Sequence, residues 1–172
     1  TILQLDNSSK DVIEDTLRNK LPTVITNVGN KWHELMSLTP EYIKRSCDKY
    51  QIKIHTTIKE QQKTKLVKTN MGTYIDWLLS HENNEKNFKT KNSYISNNNK
   101  FLKDYGLDII LDKYIDDYYP PLSLTKKYLF SMGPKDSKIG LQYETNFRNI
   151  LYQVNGTIKV ILFNPSYSSY LY

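Results

Sequence analysis

The dipeptide Asn155-Gly156 constrains the fold of this chain most strongly, because it separates two runs rich in Ile, Leu and Val. Asn-Gly suits the type I′ turn, whose central residues both have positive φ, and this turn connects antiparallel strands. The flanking runs, residues 149–154 and 157–163, have the composition of strands. The sequence therefore predicts a β-hairpin over residues 149–163.

The rest of the chain changes character near residue 125. Before it, helix-like and strand-like patterns alternate. Helices are predicted at 11–19, from Pro40, at 69–79 and, broken around Gly106, at 101–118, and strands at 23–26, 50–58 and 93–96. After it, only strands are predicted, at 128–132, 140–144, 149–154 and 157–163. This order favours one α+β domain over residues 1–172, with a mixed N-terminal portion (1–125) and an antiparallel β portion (126–172).

Charge raises the question of a nucleic-acid partner. The chain has 24 Lys and Arg against 18 Asp and Glu, which gives a formal charge of +6. Lysines are densest in residues 53–68, but few aromatic residues stand among them, whereas single-strand binders combine positive charge with stacking rings. The pattern favours a solvated face, so nucleic acid is not an expected partner, although a basic docking module remains an alternative.

Composition also bears on location. No apolar run approaches the ~18 residues of a membrane span, and no secretory signal is visible. With Cys47 as its single cysteine, the chain cannot form an internal disulfide, which fits a reducing compartment. We therefore expect an intracellular protein without a membrane association. The abundance of Lys and Asn and the lack of Ala indicate an AT-rich genome, such as that of a large DNA virus or a protist.

Several segments resemble cupin-like JmjC proteins in order and spacing. They are Leu21-Pro22-Thr23-Val24-Ile25-Thr26, then Trp32, Leu38-Thr39-Pro40-Glu41, Met71-Gly72-Thr73-Tyr74-Ile75-Asp76-Trp77-Leu78, Leu129-Phe130-Ser131-Met132-Gly133-Pro134, and 149–165 with Gln153-Val154-Asn155-Gly156 and Leu162-Phe163-Asn164-Pro165. The resemblance implies a double-stranded β-helix, the cupin jelly roll. It also implies further barrel strands beyond residue 172, so we expect residues 126–172 to hold only the first strands of an incomplete barrel.

Active members of this family are iron(II)- and 2-oxoglutarate-dependent oxygenases with a 2-His-1-carboxylate metal site. Their His-x-Asp pair precedes the Asn-apolar-apolar segment. The corresponding residues here are Gln142 and Glu144, and a one-residue slip would place Tyr143 and Thr145 there instead. Since an amide oxygen is a weak iron ligand, the resemblance predicts no iron site of normal affinity.

The family positions for the cosubstrate are altered as well. The family's lysine two residues after the hairpin glycine corresponds to Ile158, and its threonine three residues before the metal histidine corresponds to Ile139. Only Asn149 matches. A buried dicarboxylate needs a cation and hydroxyl donors, which two isoleucines do not provide.

These losses predict a catalytically inactive relative of the oxygenases, a pseudoenzyme that serves as a binding or structural module without a cofactor. Its expected partner is a protein or a second copy, through the open barrel edge. The alternative is an active protein hydroxylase or demethylase-like enzyme that uses iron(II) and 2-oxoglutarate with atypical ligands.

Overall fold

The computed structural model describes residues 2–6, 10–19, 21–28, 32–58, 63–80, 93–115, 125–143 and 148–171. In chain order the elements are β1 (Leu3–Asp6), α1 (Lys10–Arg18), β2 (Thr23–Thr26), α2 (His33–Met36), α3 (Pro40–Cys47), β3 (Gln51–Ile58), β4 (Lys63–Asn70), α4 (Met71–Leu79), β5 (Ser93–Tyr94), α5 (Asn99–Asp104), α6 (Leu107–Ile115) and a 3₁₀ helix (Pro165–Tyr170). This mixture confirms the α+β class.

Local sequence signals explain several boundaries. The Thr39 side chain caps α3 by accepting a hydrogen bond from the Tyr42 N–H at 3.2 Å, and Pro40 occupies the first helical position. Gly106, with φ of +65°, separates α5 from α6, because a glycine adopts this left-handed conformation without steric cost. The helix break at Gly106 and the helix start at Pro40 were both predicted.

Two small sheets organise the described residues. β1 and β2 are parallel, and α1 connects them. Their pairing runs from Leu3 opposite Thr23 to Asp6 opposite Thr26. The second sheet has the order β4-β3-β5, with antiparallel pairing throughout. The Ile95–Met132 bridge extends its β5 edge. β1 and β4 were not predicted.

The main core lies between the three-stranded sheet and helices α3, α4 and α5. Ile54, Tyr74 and Ile95 are fully buried there. A second cluster surrounds Trp32, whose ring lies 4.5 Å from that of Tyr152, centroid to centroid. Tyr152 thereby ties the C-terminal segment to the N-terminal part of the chain.

The predicted β portion differs most from the structure. In the described residues of 125–163, the bridge at Met132 is the only ladder contact, and the predicted strands at 128–132, 140–144, 149–154 and 157–163 are not formed. Residues 155–156 do form a bend, in which Gly156 has φ of +78°. The runs on either side lie largely exposed. Residues of high β propensity stabilise a strand through packing on a paired, half-buried surface. Within the described residues these runs have no paired strand to pack on, so their composition alone does not make them strands.

Candidate functional site

The family positions singled out by the sequence lie in this unpaired region. Ile139 and Ile158 are 50% and 48% exposed, and Gln142 and Asn149 are exposed as well. Glu144, and Thr145 of the alternative register, lie outside the described residues. The structure therefore does not gather the four described side chains into an enclosed pocket, which a dicarboxylate cosubstrate would need.

The donor set does not fit an iron(II) centre. Gln142 offers a neutral amide where the oxygenases use imidazole. Two of the three histidines are described, and they lie on other elements, His33 on α2 and His55 on β3. Across the described ranges, no three His, Cys, Asp or Glu side chains are grouped as a metal site requires.

The C-terminal end of α3 contributes a polar cluster that also lacks catalytic features. The Tyr50 hydroxyl donates to Asp104 Oδ2 at 2.8 Å, and the Lys100 ammonium also bonds this carboxylate. Lys100, and then Tyr50, lower the pKa of Asp104. Burial raises the pKa of the Cys47 thiol, while a hydrogen bond with Cys47 raises the pKa of Tyr105 to about 12. A protonated thiol and a paired carboxylate make this a structural cluster, in which Cys47 is a small buried side chain.

The outer face of the β4-β3-β5 sheet holds a different group of residues. Side chains alternate between the faces of a strand, so burial of Ile52 and Ile54 in the core places Lys53 and His55 on the opposite face. Lys53 lies directly opposite Lys68 of β4. His55, in the central strand, lies between its two register partners, Leu66 of β4 and Tyr94 of β5.

This face combines stacked rings with positive charge. The rings of His55 and Tyr94 are nearly parallel, with 10° between their planes and 5.3 Å between centroids. Leu66 is 54% exposed beside them. Lys53 and Lys68 are exposed, and neither forms an ion pair with another residue in the described ranges. We call these five residues, Lys53, His55, Leu66, Lys68 and Tyr94, the sheet platform.

Contacts on the core side of the sheet fix the register in which Tyr94 of β5 lies opposite His55 of β3. Ser93, which is fully buried, shares a hydrogen bond of 3.2 Å with the Thr56 hydroxyl. The Tyr74 hydroxyl lies 3.1 Å from the Ser93 carbonyl and 3.0 Å from that of Met132. With Ser93 and Ile95 directed into the core, the intervening Tyr94 must point outward.

Sequence reasoning missed this platform. Residues 53–68 were noted for their lysines, but the ring that completes the group comes from Tyr94, which is distant in sequence. Residues 63–70 gave no periodic signal for a second strand, because their two apolar residues, Leu66 and Val67, are adjacent and the others are Lys, Thr and Asn.

The comparisons with known proteins yield no match: no family model, no curated protein and no solved structure matches the chain. The resemblance to cupin-like JmjC proteins therefore depends on the sequence segments quoted above. Within the described residues, no helix is long and apolar enough to span a membrane.

Proposed function

We propose that this chain is a non-catalytic relative of the cupin-like JmjC oxygenases and acts as a binding or structural module. One observation carries the proposal: of the described residues at the family positions only Asn149 matches, and the imidazole, hydroxyl and cation that the oxygenases need are replaced. Gln142 stands in place of an imidazole, and Ile139 and Ile158 stand in place of a hydroxyl and a cation. The exposure of these side chains supports it further.

Metal titration tests this proposal. Manganese(II), a redox-stable substitute for iron(II), is titrated into the protein by calorimetry, with and without 2-oxoglutarate. We expect no binding in the micromolar range for the natural sequence. Micromolar binding that tightens with 2-oxoglutarate would overturn the proposal and favour the active hydroxylase.

A gain-of-binding variant tests the family alignment itself. Gln142→His restores the imidazole at the position assigned by the resemblance, and Gln153→His places the same group at another exposed position of the C-terminal segment. We expect tighter manganese(II) binding from the first variant than from the second. Equal affinities would argue against the assignment of position 142.

The binding function has a candidate contact region in residues 157–163. Five apolar side chains are 48–64% exposed in this segment: Ile158, Val160, Ile161, Leu162 and Phe163. An apolar segment of high β propensity without a ladder partner is a template for pairing with another chain. We therefore propose that it contacts a protein partner or a second copy of the chain.

Sedimentation velocity at several protein concentrations tests self-association. The expected result is concentration-dependent dimerisation, which Ile161→Lys should weaken without lowering the unfolding midpoint in urea. Lys159→Gln is the control, since it changes charge in the same segment and leaves the apolar side chains in place. A monomer at every concentration would leave only a different protein as partner.

A further inference from the structure

We infer that the sheet platform binds single-stranded nucleic acid, with bases stacked against the ring pair of His55 and Tyr94 and phosphates near Lys53 and Lys68. The inference concerns a surface distinct from the family positions and does not depend on the state of the metal site. The juxtaposition that carries it is the His55–Tyr94 ring stack, which lies two residues along β3 from two opposed lysines that form no ion pair with any described residue.

The lysine pair points to an anionic ligand. Directly opposed residues of an antiparallel pair have Cβ atoms about 4.5–5.5 Å apart, and like charges in this arrangement destabilise the sheet. No described carboxylate forms an ion pair with Lys53 or Lys68. A phosphate between the two ammonium groups would turn this repulsion into attraction, and its counterions would be released to solvent.

The ring pair distinguishes a nucleic acid from other polyanions. His55 and Tyr94, both half-buried, present a preformed stack on the outer sheet face, and a base can extend such a stack whatever its identity, because every base has a π-face. An acidic peptide could pair with the lysines, but its carboxylates would not stack on the rings. A duplex would be bound more weakly, since its base faces are already stacked on each other.

The dimensions of the platform suit one nucleotide step. The lysine row and the ring row are two residues apart along β3, or about 7 Å at the usual rise of a strand. The flexible lysine side chains can cover the remaining distance to a phosphate attached to a stacked nucleotide. Backbone contact from lysines with stacking on aromatic rings is the general mode of sequence-tolerant single-strand binding.

The segment that runs beside β5, at Met132 and Gly133, leaves the Tyr94 ring uncovered. Because Ile95 is opposite Met132 in an antiparallel bridge, Gly133 lies next to Tyr94 on the side away from His55. A Cβ added to Gly133 would come 3.2 Å from the Tyr94 Cβ and would collide with the Ser137 hydroxyl. The glycine thus allows the chain to pass close to the platform without a side chain that would cover the ring.

Fluorescence anisotropy with a labelled oligo-dT and a labelled oligo-U of about 12 nucleotides, within the site sizes of single modules, tests the inference. We expect both to bind, and Lys53→Gln/Lys68→Gln to reduce the slope of log K against log salt by about 0.7, the value for the one phosphate held between the two lysines. Lys103→Gln/Lys127→Gln removes two exposed lysines elsewhere and is the matched control.

The ring contribution is tested at Tyr94. We expect Tyr94→Leu to weaken binding by about fivefold or more, the lower end of the loss for one stacked base, and Tyr94→Phe to retain most of the affinity. Circular dichroism and urea midpoints establish that each variant folds.

Three results would overturn the inference. The first is the same affinity for Tyr94→Leu as for the natural protein, which would show an unspecific cationic surface. The second is an equal loss for the control lysine pair. The third is displacement of the oligonucleotide by poly-glutamate as effectively as by unlabelled oligo-dT, which would indicate an acidic protein partner.

Discussion

The hydroxyl of Tyr74 should be a measurable source of stability. Its side chain is fully buried in α4, and the hydroxyl can donate to the carbonyl of Ser93 or of Met132. It thereby connects the main core to β5 and to the bridge at the edge of the sheet. Tyr74→Phe removes this donor and retains the ring, so it isolates the hydrogen bond.

The expected loss in the free energy of unfolding follows from the hydrogen bonds that the Ser93 and Met132 carbonyls lose. A net hydrogen bond contributes about 0.5–1.5 kcal/mol, and a buried acceptor left unsatisfied costs about 1–3 kcal/mol. The Met132 carbonyl keeps the Ile95 N–H as a donor at 2.8 Å, which limits the second cost. We expect a loss of about 1–2 kcal/mol in the free energy of unfolding, or a fall in Tm of roughly 3–6 °C for a chain of this size.

The pH dependence provides an independent check. Burial raises the pKa of Tyr74 above its ordinary value, which is about 10. A raised pKa in the folded state adds stability that is fully present below pH ~10 and is lost as pH rises toward the folded pKa. Because Tyr74→Phe has no such group, the stability difference between the two proteins should shrink above pH ~10.

Urea unfolding followed by circular dichroism measures both effects. Tyr170→Phe is the control, since Tyr170 is 83% exposed and its hydroxyl is available to water in both states. We expect no change from this control. Equal stability of Tyr74→Phe and the natural protein at neutral pH, or a difference that stays constant into the alkaline range, would refute the reasoning.

Two further changes test contacts around α3 and α5. A Cβ at Gly72 would come 1.8 Å from Asp48 Oδ1 and 3.2 Å from the Asp48 carbonyl, so Gly72→Ala should destabilise the natural protein by about 1 kcal/mol. In an Asp48→Ala background, Gly72→Ala should be neutral or stabilising, because Ala favours the helix by up to ~1 kcal/mol relative to Gly. A double-mutant cycle that shows no coupling between positions 48 and 72 would contradict this contact. The lowered pKa of Asp104, caused first by Lys100 and then by Tyr50, adds stability that is present above about pH 4 and is lost as pH falls through the folded pKa. Asp104→Asn should therefore flatten the acid limb of the stability profile, and parallel profiles for the two proteins would count against this role.

Local signals allowed most helices to be predicted. The Thr39 hydroxyl accepts a hydrogen bond from a backbone N–H three residues on, while the proline at position 40 and the glycine at position 106 act through their own backbone geometry. These local effects do not depend on the rest of the fold. β4 (Lys63–Asn70) escaped prediction because its lysines and threonines suggested a solvated segment. Its place in the sheet follows from pairing with β3 along its whole length, and such tertiary pairing outweighs strand propensity.

The segment from residue 148 to 163 shows the opposite error. Its Ile, Leu and Val residues predicted two strands, and the turn residues between them predicted a hairpin. Gly156 has a positive φ but Asn155 does not, so the predicted type I′ turn is not formed, and the two runs do not pair with each other. A turn can bring two runs close without fixing their pairing, because the ladder is stabilised by cross-strand side-chain contacts and by burial of one face. Here both runs remain largely exposed.

The sheet platform depends on register in the same way, which explains why the sequence alone did not reveal it. If β5 slipped by one residue against β3, Tyr94 would turn into the core and Ser93 would turn outward. Full burial of Ile54 and Ile95, together with the Ser93–Thr56 hydrogen bond, opposes that slip. The ring stack on the outer face is therefore positioned by apolar contacts on the inner face. A substitution that loosened those contacts should weaken oligonucleotide binding without touching any residue of the platform, and this dependence is what separates a built surface from a chance cluster of exposed lysines.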